Sequence, residues 1–323
     1  ESLPDLNQRN PLLADYLVQN SIWWVEYAGL QGIRVGSWPY LEKHFMSDWA
    51  RRIMQEYPDF NVVGEEWSEL PAVTSYWQRG GNKHDGYMSF LPSVFDFPVQ
   101  AAFTRALKGD PDSFSGVWTS LYELVGMDFL YPEPMSLVIF PDNHEMDRIY
   151  AQLEENFDLY RMAMVYYATM RGIPQFFYGD EILASHPRAS SHGELRSDFP
   201  GGWEGDAVNA FNGEGLTEQQ RNAQQLVSRL LNWRKNNQTI HHGKFMHFAP
   251  IRNVYVYFRY DADNTVMVIL NRDEDTVVLD TGRFAERIGD ATHGTDVVSG
   301  KRFSIEDSLV LEPRSALLLE LGE

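Results

Sequence analysis

The chain has 323 residues, 46 acidic and 27 basic, for a formal net charge of −19, with nine histidines and no cysteine. That balance excludes a nucleic-acid binder, which needs a basic face to displace counterions, and argues against an anionic membrane as partner. Lack of cysteine excludes disulfides, thiolate zinc sites and cysteine nucleophiles, and no run approaches the roughly 18 apolar residues of a spanning helix.

In chain order, Asn10-Pro11 opens a helix as N-cap and N1. Leu13, Leu17 and Trp24 are expected on its buried face, and Gly29 ends it. A strand follows at Gly32–Val35, then a helix capped by Ser47 with Trp49, Ile53 and Met54 on one side. Further strands are predicted at Asn61–Glu65, Ser93–Phe97, Leu137–Phe140 and Gln175–Tyr178, with a helix over Asn156–Met170. Strand starts lie roughly 29 to 44 residues apart, the spacing of βα units in a parallel sheet or barrel.

After Thr217 comes an amphipathic helix with Leu226, Leu230 and Trp233 on its face and Arg234-Lys235 at its end. From Gly243 the runs become short and β-rich: Val254–Tyr260, Thr265–Leu270, Thr276–Leu279, Ser308–Leu311 and Ala316–Leu319. Two domains are expected, an α/β domain over 1–240 and an antiparallel β-sandwich over 241–323.

In a parallel barrel the C-terminal strand ends carry the active site. Here they deliver Arg34, Gly36, Ser37 and Trp38, then Glu65, Glu66 and Trp67, then Asp142, Asn143, His144 and Glu145. Carboxylates on different strands among aromatic rings suit cleavage of a glycosidic bond: one acid protonates the leaving oxygen, another attacks or stabilises, and rings stack on sugar faces.

Four ordered phrases then carry a resemblance: Leu3-Pro4-Asp5-Leu6-Asn7, Gly32-Ile33-Arg34-Val35-Gly36, Val63-Gly64-Glu65-Glu66-Trp67 and Phe140-Pro141-Asp142-Asn143-His144-Glu145. They resemble successive signature regions of the α-amylase family of glycoside hydrolases, most like its cyclomaltodextrinase and neopullulanase group. Gln19–Trp24 and Asp198–Trp203 are similar to phrases of the same group. The resemblance extends over essentially the whole chain, and implies a (β/α)8 TIM barrel followed by an antiparallel β-domain. Five strands are predicted where that barrel has eight, so the barrel reads as incomplete, about its last five βα units. The first residue is Glu1, not an initiator Met, and the chain reads as the C-terminal part of a longer one.

The resemblance assigns roles residue by residue. Glu65 falls on the family's general acid/base, Arg34 on the arginine paired with the nucleophile, and His144 on the histidine beside the scissile bond. The nucleophile's position, two residues after that arginine, holds Gly36, which has no side chain to form a covalent intermediate. The transition-state aspartate's position holds Glu145, whose extra methylene moves the carboxylate by about 1 Å, a displacement that can cost about 100-fold. The expected catalytic set is therefore Glu65, Glu145 and position Gly36, with Arg34, His144, Trp38, Tyr40, Trp67, Asn143 and Arg148 against substrate. Arg34 is expected to be left without its carboxylate partner, while Asp142, Asp147 and Arg148 orient their loop.

The implied ligand is an α-glucan oligosaccharide, with no cofactor required and calcium as the one structural ion to consider, although no loop of alternating Asp and Asn is visible. Nucleic acid and membrane are not expected as partners; the oligomeric state is left open, a missing N-terminal region being where an oligomer would be built. As written, the chain is expected to be a poor hydrolase. The alternatives are a non-catalytic glucan-binding relative and a variant in which glycine was introduced at the nucleophile.

Overall fold

A computed structural model describes residues 4–81, 83–187 and 189–322; Glu1 and Leu3, named above, lie outside them. The chain gathers into two compact units. One runs to Ala101 and takes up Leu124–Ile139; the other holds Ala102–Glu123 and Phe140 onward.

The first unit is built from βα steps. Helix α1 (Pro11–Ala28) starts as expected: Asn10 Oδ1 accepts the Leu12 N–H, and Gly29 closes the helix in the left-handed region at φ 64°. Its buried stripe is Val18 and Val25, one residue out of phase with the expected Leu13, Leu17 and Trp24. Trp24 is 46% exposed and, with Trp23 and Tyr27, forms an aromatic cluster in which Trp23 stacks on Tyr27 at 4.7 Å. Strand β1 (Gly32–Val35) leads into α2 (Lys43–Glu56), whose N-cap is Glu42, accepting from Phe45 N at 2.6 Å. Ser47, the expected cap, lies inside the helix, where its hydroxyl donates to the Met88 carbonyl at 2.5 Å.

Strand β2 (Asn61–Gly64), α3 (Pro71–Trp77) and β3 (Ser93–Val94) follow, then α4 (Phe97–Lys108), which passes into the other unit, and α5 (Thr119–Val125), which returns from it, before β4 (Val138–Ile139). β1, β2 and β3 pair in parallel and in chain order, and a parallel bridge joins Phe95 to Val138 of β4. Sequential strands lying side by side are the winding of a barrel wall; a doubly wound sheet would reverse its order. β3 is shorter than expected because Phe97 already begins a helix. The core behind this wall holds Trp38, Trp49, Ile53, Val62, Leu91 and Val94.

In the second unit, α6 (Ile149–Gln152), α7 (Phe157–Thr169), β5 (Ile173–Pro174), α8 (His192–Leu195) and α9 (Glu218–Lys235) precede a β-rich region. α7 is capped by Asn156, and its residues from Tyr160 on, apart from Arg161, are buried, as a helix inside a core requires. β5 lies two residues before the predicted Gln175–Tyr178. The carbonyls of Phe177 and Tyr178 instead accept hydrogen bonds from the buried Arg148 guanidinium. α9 opens with a reciprocal capping box between Thr217 and Gln220.

The β-rich region comprises β6 (Lys244–His247), β7 (Val254–Tyr260), β8 (Thr265–Asn271), β9 (Val277–Asp280), β10 (His293–Asp296), β11 (Arg302–Ser304), β12 (Ser308–Leu311) and β13 (Ser315–Gly322). Six of these form an antiparallel sheet in the order β11-β10-β13-β8-β7-β6, and β12 with β9 forms a second layer. Val256, Phe258, Ile269, Leu279, Leu309 and Leu311 fill the space between the layers. β7 is buried on both faces, because Tyr255 and Tyr257 pack on Trp118 and Tyr166 of the helical part. Two arginines hold the end of α7, and the second crosses this seam. Arg234 of α9 donates to the carbonyls of Ala168 and Gly172, and Arg259 of β7 to those of Thr169, Met170 and Gly243. All but the Gly243 carbonyl lie at and just beyond the C-terminal end of α7, where a helix leaves acceptors unfilled. Burial pushes both guanidinium groups down to about 10, so both remain charged at neutral pH.

Candidate active site

The expected site residues fall on both units. In the first, the β1–β2 register sets Arg34 against Val63 and Val35 against Gly64, and the Glu65 N–H continues the ladder to the Val35 carbonyl at 2.9 Å. Alternation along β1 puts Arg34 and Gly36 on one face. There the Arg34 guanidinium forms an ion pair with Glu65, which is only 5% exposed, and lies 5.6 Å from the ring centre of Phe95. The expectation that Arg34 lacks a carboxylate is corrected: without a side chain at 36, the guanidinium takes Glu65.

A Cβ added at Gly36 would stand 3.1 Å from Arg34 Nη1 and 3.3 Å from Glu65 Oε2, and the backbone there lies outside the left-handed region. Position 36 thus faces both groups, and its backbone admits an L side chain once Arg34 and Glu65 give way by a few tenths of an ångström. An ion-paired Glu65 is the acceptor in that pair, whereas a general acid must present a proton.

The aromatic candidates separate clearly. Trp38 is a core residue, 1% exposed and edge-on to Trp49, so the sugar-platform reading is corrected. Its indole packs over Gly64, where a Cβ would come within 3.0 Å of Trp38 and 2.6 Å of Leu91. Tyr40 is 79% exposed; Trp67 is 46% exposed and stacks on Phe97 at 4.6 Å, which leaves it a supported, accessible ring. Glu66 is occupied as acceptor for Trp77 Nε1 at 2.7 Å.

In the second unit, Asn143, His144 and Glu145 lie on the turn after β4. The Asn143 side chain accepts the Glu145 N–H at 2.8 Å, shaping that turn, and is buried. His144 Nε2 stands 3.7 Å from Glu145 Oε1, and both side chains are about one third exposed. The His144 carbonyl accepts from Arg196 Nε at 2.8 Å. Arg148 is corrected from substrate contact to scaffold: it is 1% exposed, lies 3.3 Å from Asp142 and 2.8 Å from Asp180, and has the ring of Phe177 at 4.3 Å. Asp180, Arg196, Phe95 and Phe97 carry these arrangements and were not anticipated, because none stands in a motif. Beside Arg148, Tyr178, Ile182, His186, Asp198 and Phe199 line a cleft of about 300 Å³. Trp203, beyond it, is exposed. Among the described residues no three His, Asp or Glu side chains are grouped to hold a metal ion. No helix among them is long and apolar enough to cross a membrane.

Comparison with known proteins agrees with this construction. The α-amylase catalytic-domain family matches residues 1–199, and the cyclo-malto-dextrinase C-terminal domain family matches 245–320. A cyclomaltodextrin glucanotransferase of Geobacillus stearothermophilus is 24% identical over 317 residues, which is 94% of this chain and 40% of that protein. A cyclomaltodextrinase of a Bacillus species is 23% identical over 84% of this chain and 44% of its own length. The chain thus spans less than half the length of the curated relatives it matches. Among solved structures, the α-amylase of Geobacillus thermoleovorans in complex with acarbose superimposes with a TM-score of 0.78 at 22% identity, over 99% of this chain and 66% of that one. The fold is therefore part of a TIM barrel, of which five βα strands are described, followed by an antiparallel β-domain. With its catalytic-domain match extending over more than half its length, the chain belongs to the α-amylase family.

Proposed function

We propose that this chain forms part of a retaining glycoside hydrolase acting on the α-glucosidic bonds of cyclomaltodextrins, maltooligosaccharides or related α-glucans, and that cleavage is impaired by Gly36. One observation carries the reading: the Cβ direction of position 36 points at Glu65 and Arg34, the acid/base and arginine positions of the family motif. In a retaining mechanism two carboxyl groups stand about 5 to 5.5 Å apart, so a nucleophile must be a near neighbour of the acid/base. Glu65 would donate its proton to the leaving oxygen and then serve as base toward water. His144 would hydrogen-bond sugar hydroxyls, Glu145 would stand in the transition-state carboxylate's place, and Tyr40 and Trp67 would offer rings to the glucan. No cofactor enters these steps.

The test is reducing-sugar release from γ-cyclodextrin by the complete gene product, with Gly36 and with Gly36→Asp. Recovery of turnover by several powers of ten in the aspartate form is expected. Silence from both folded proteins overturns the reading. A second reading, a glucan-binding relative without turnover, is favoured by the Arg34–Glu65 pair, which ties up the acid/base, and by the exposed Tyr40 and Trp67 rings. It predicts heat on titration with maltohexaose and no sugar release from either form.

A further inference from the structure

The buried cluster behind the His144 turn has a charge imbalance. Asp142, Arg148 and Asp180 have side chains no more than 1% exposed, and two carboxylates face one guanidinium. Were all three ionised, one negative charge would be buried without a counter-ion, an arrangement proteins rarely sustain. Hydrogen bonding shows where the imbalance lies. Asp142 Oδ2 accepts the Ile149 N–H at 2.5 Å and faces Arg148 Nε, while Asp180 Oδ1 takes Arg148 Nη2 at 2.8 Å. The remaining oxygens, Asp142 Oδ1 and Asp180 Oδ2, are buried with no donor among the described residues. The two carboxyl groups lie within hydrogen-bonding reach of each other.

We infer that Asp142 and Asp180 share one proton, so that the Asp142–Arg148–Asp180 cluster is neutral and acts as a positioning device for the turn carrying Asn143, His144 and Glu145. A single proton on either orphan oxygen supplies the missing donor and removes the excess charge together. Asp142 lies immediately before the turn, and its Oδ2 fixes the backbone on the far side at Ile149. The catalytic meaning of the turn rests on the glycosidase reading; the proton does not.

The surroundings point the same way. Burial raises Asp142 well above the usual aspartate range, and the adjacent Asp180 charge adds to it. Burial raises Asp180 too, against the pull of Arg148, with Glu181 pushing in the same direction as burial. On α7, the facing Tyr160 is itself raised by burial and stays neutral. The folded chain therefore binds a proton that the unfolded chain releases near pH 4. The stability this supplies is complete below that point and is lost as pH rises through the pair's folded value.

Infrared difference spectroscopy of the folded protein at neutral pH tests the inference. A carbonyl stretch of a protonated, non-exchanging carboxylic acid is expected, absent from both Asp142→Asn and Asp180→Asn. In Asp142→Asn the new side-chain amide donates where the proton stood, so that variant should fold, and its melting temperature should fall less than the parent's on going to alkaline pH. The His144 imidazole resonance should show an alkaline step at the midpoint of the infrared loss, missing in Asp142→Asn. No acid band in the parent, or a band that survives both substitutions, overturns the shared proton. A His144 resonance indifferent to the band's loss overturns the positioning role. None of these readouts is sugar release, so failure of the glycosidase reading would appear separately.

Discussion

Two arginines, one in β1 and one at the start of α6, meet carboxylates in opposite ways. Arg34 pairs with one carboxylate at the open end of β1, about a third exposed, opposite a residue with no side chain. Arg148 sits in full burial between two carboxylates, with backbone carbonyls of Leu195, Phe177 and Tyr178 filling its remaining donors. In the first, the guanidinium reaches solvent and can exchange partners, as the acid/base role proposed for Glu65 requires. The second cannot lose its arginine without leaving negative charge in the interior. Exposure of the guanidinium, not residue type, divides the two arrangements.

The largest break in that contrast is Arg148→Met. It leaves Asp142 and Asp180 buried without a cation, and chemical denaturation should show a loss of about 3 to 5 kcal/mol. Next comes the wall behind Glu65: Gly64→Ala forces a methyl into Leu91 and Trp38, with an expected loss of about 1 to 3 kcal/mol. A smaller change is expected from Trp233→Phe, which removes the indole hydrogen bond to Glu320 at 2.8 Å and should lower stability by about 0.5 to 1.5 kcal/mol. Smallest is Glu65→Gln. The amide still accepts from the part-exposed Arg34, so the unfolding free energy should move by less than about 1 kcal/mol while any turnover of the Gly36→Asp form disappears. A loss at Glu65 as large as that at Arg148 would erase the distinction.

The signature residues were legible because strand-end chemistry sits at fixed offsets: Arg34, Gly36 and Glu65 lie together as their phrases imply. The cap made by Asn10 was equally readable, since its side chain satisfies a local amide, and Asn156 and Thr217, at the starts of two predicted helices, prove to cap them in the same way. Ser47 misled because Glu42, five residues earlier, caps as well, and the serine had a distant carbonyl to serve. Strands of two residues, such as β3 and β5, leave too short a pattern to place. β6, β10 and β11 were missed for lack of apolar alternation: His293–Asp296 reads as a turn and becomes a strand only by pairing with β11 and β13. Trp38 and Tyr40 stand two residues apart in one phrase, yet one is core and the other surface; the vacant space over Gly64 decides it. Asp180 was invisible because its meaning depends on Arg148, 32 residues away.

The arginines at the end of α7 have a consequence for how the second unit comes apart. One arrives from α9 and one from β7, and both grip the same final turn of helix. Fraying of that turn and detachment of β7 are therefore coupled, because the Thr169 and Met170 carbonyls held by Arg259 are released by the first and abandoned in the second. Amide hydrogens near Met170 and those in the middle of β7 should then exchange with deuterium together, as one cooperative opening. The seam would behave as a latch that is wholly shut or wholly open.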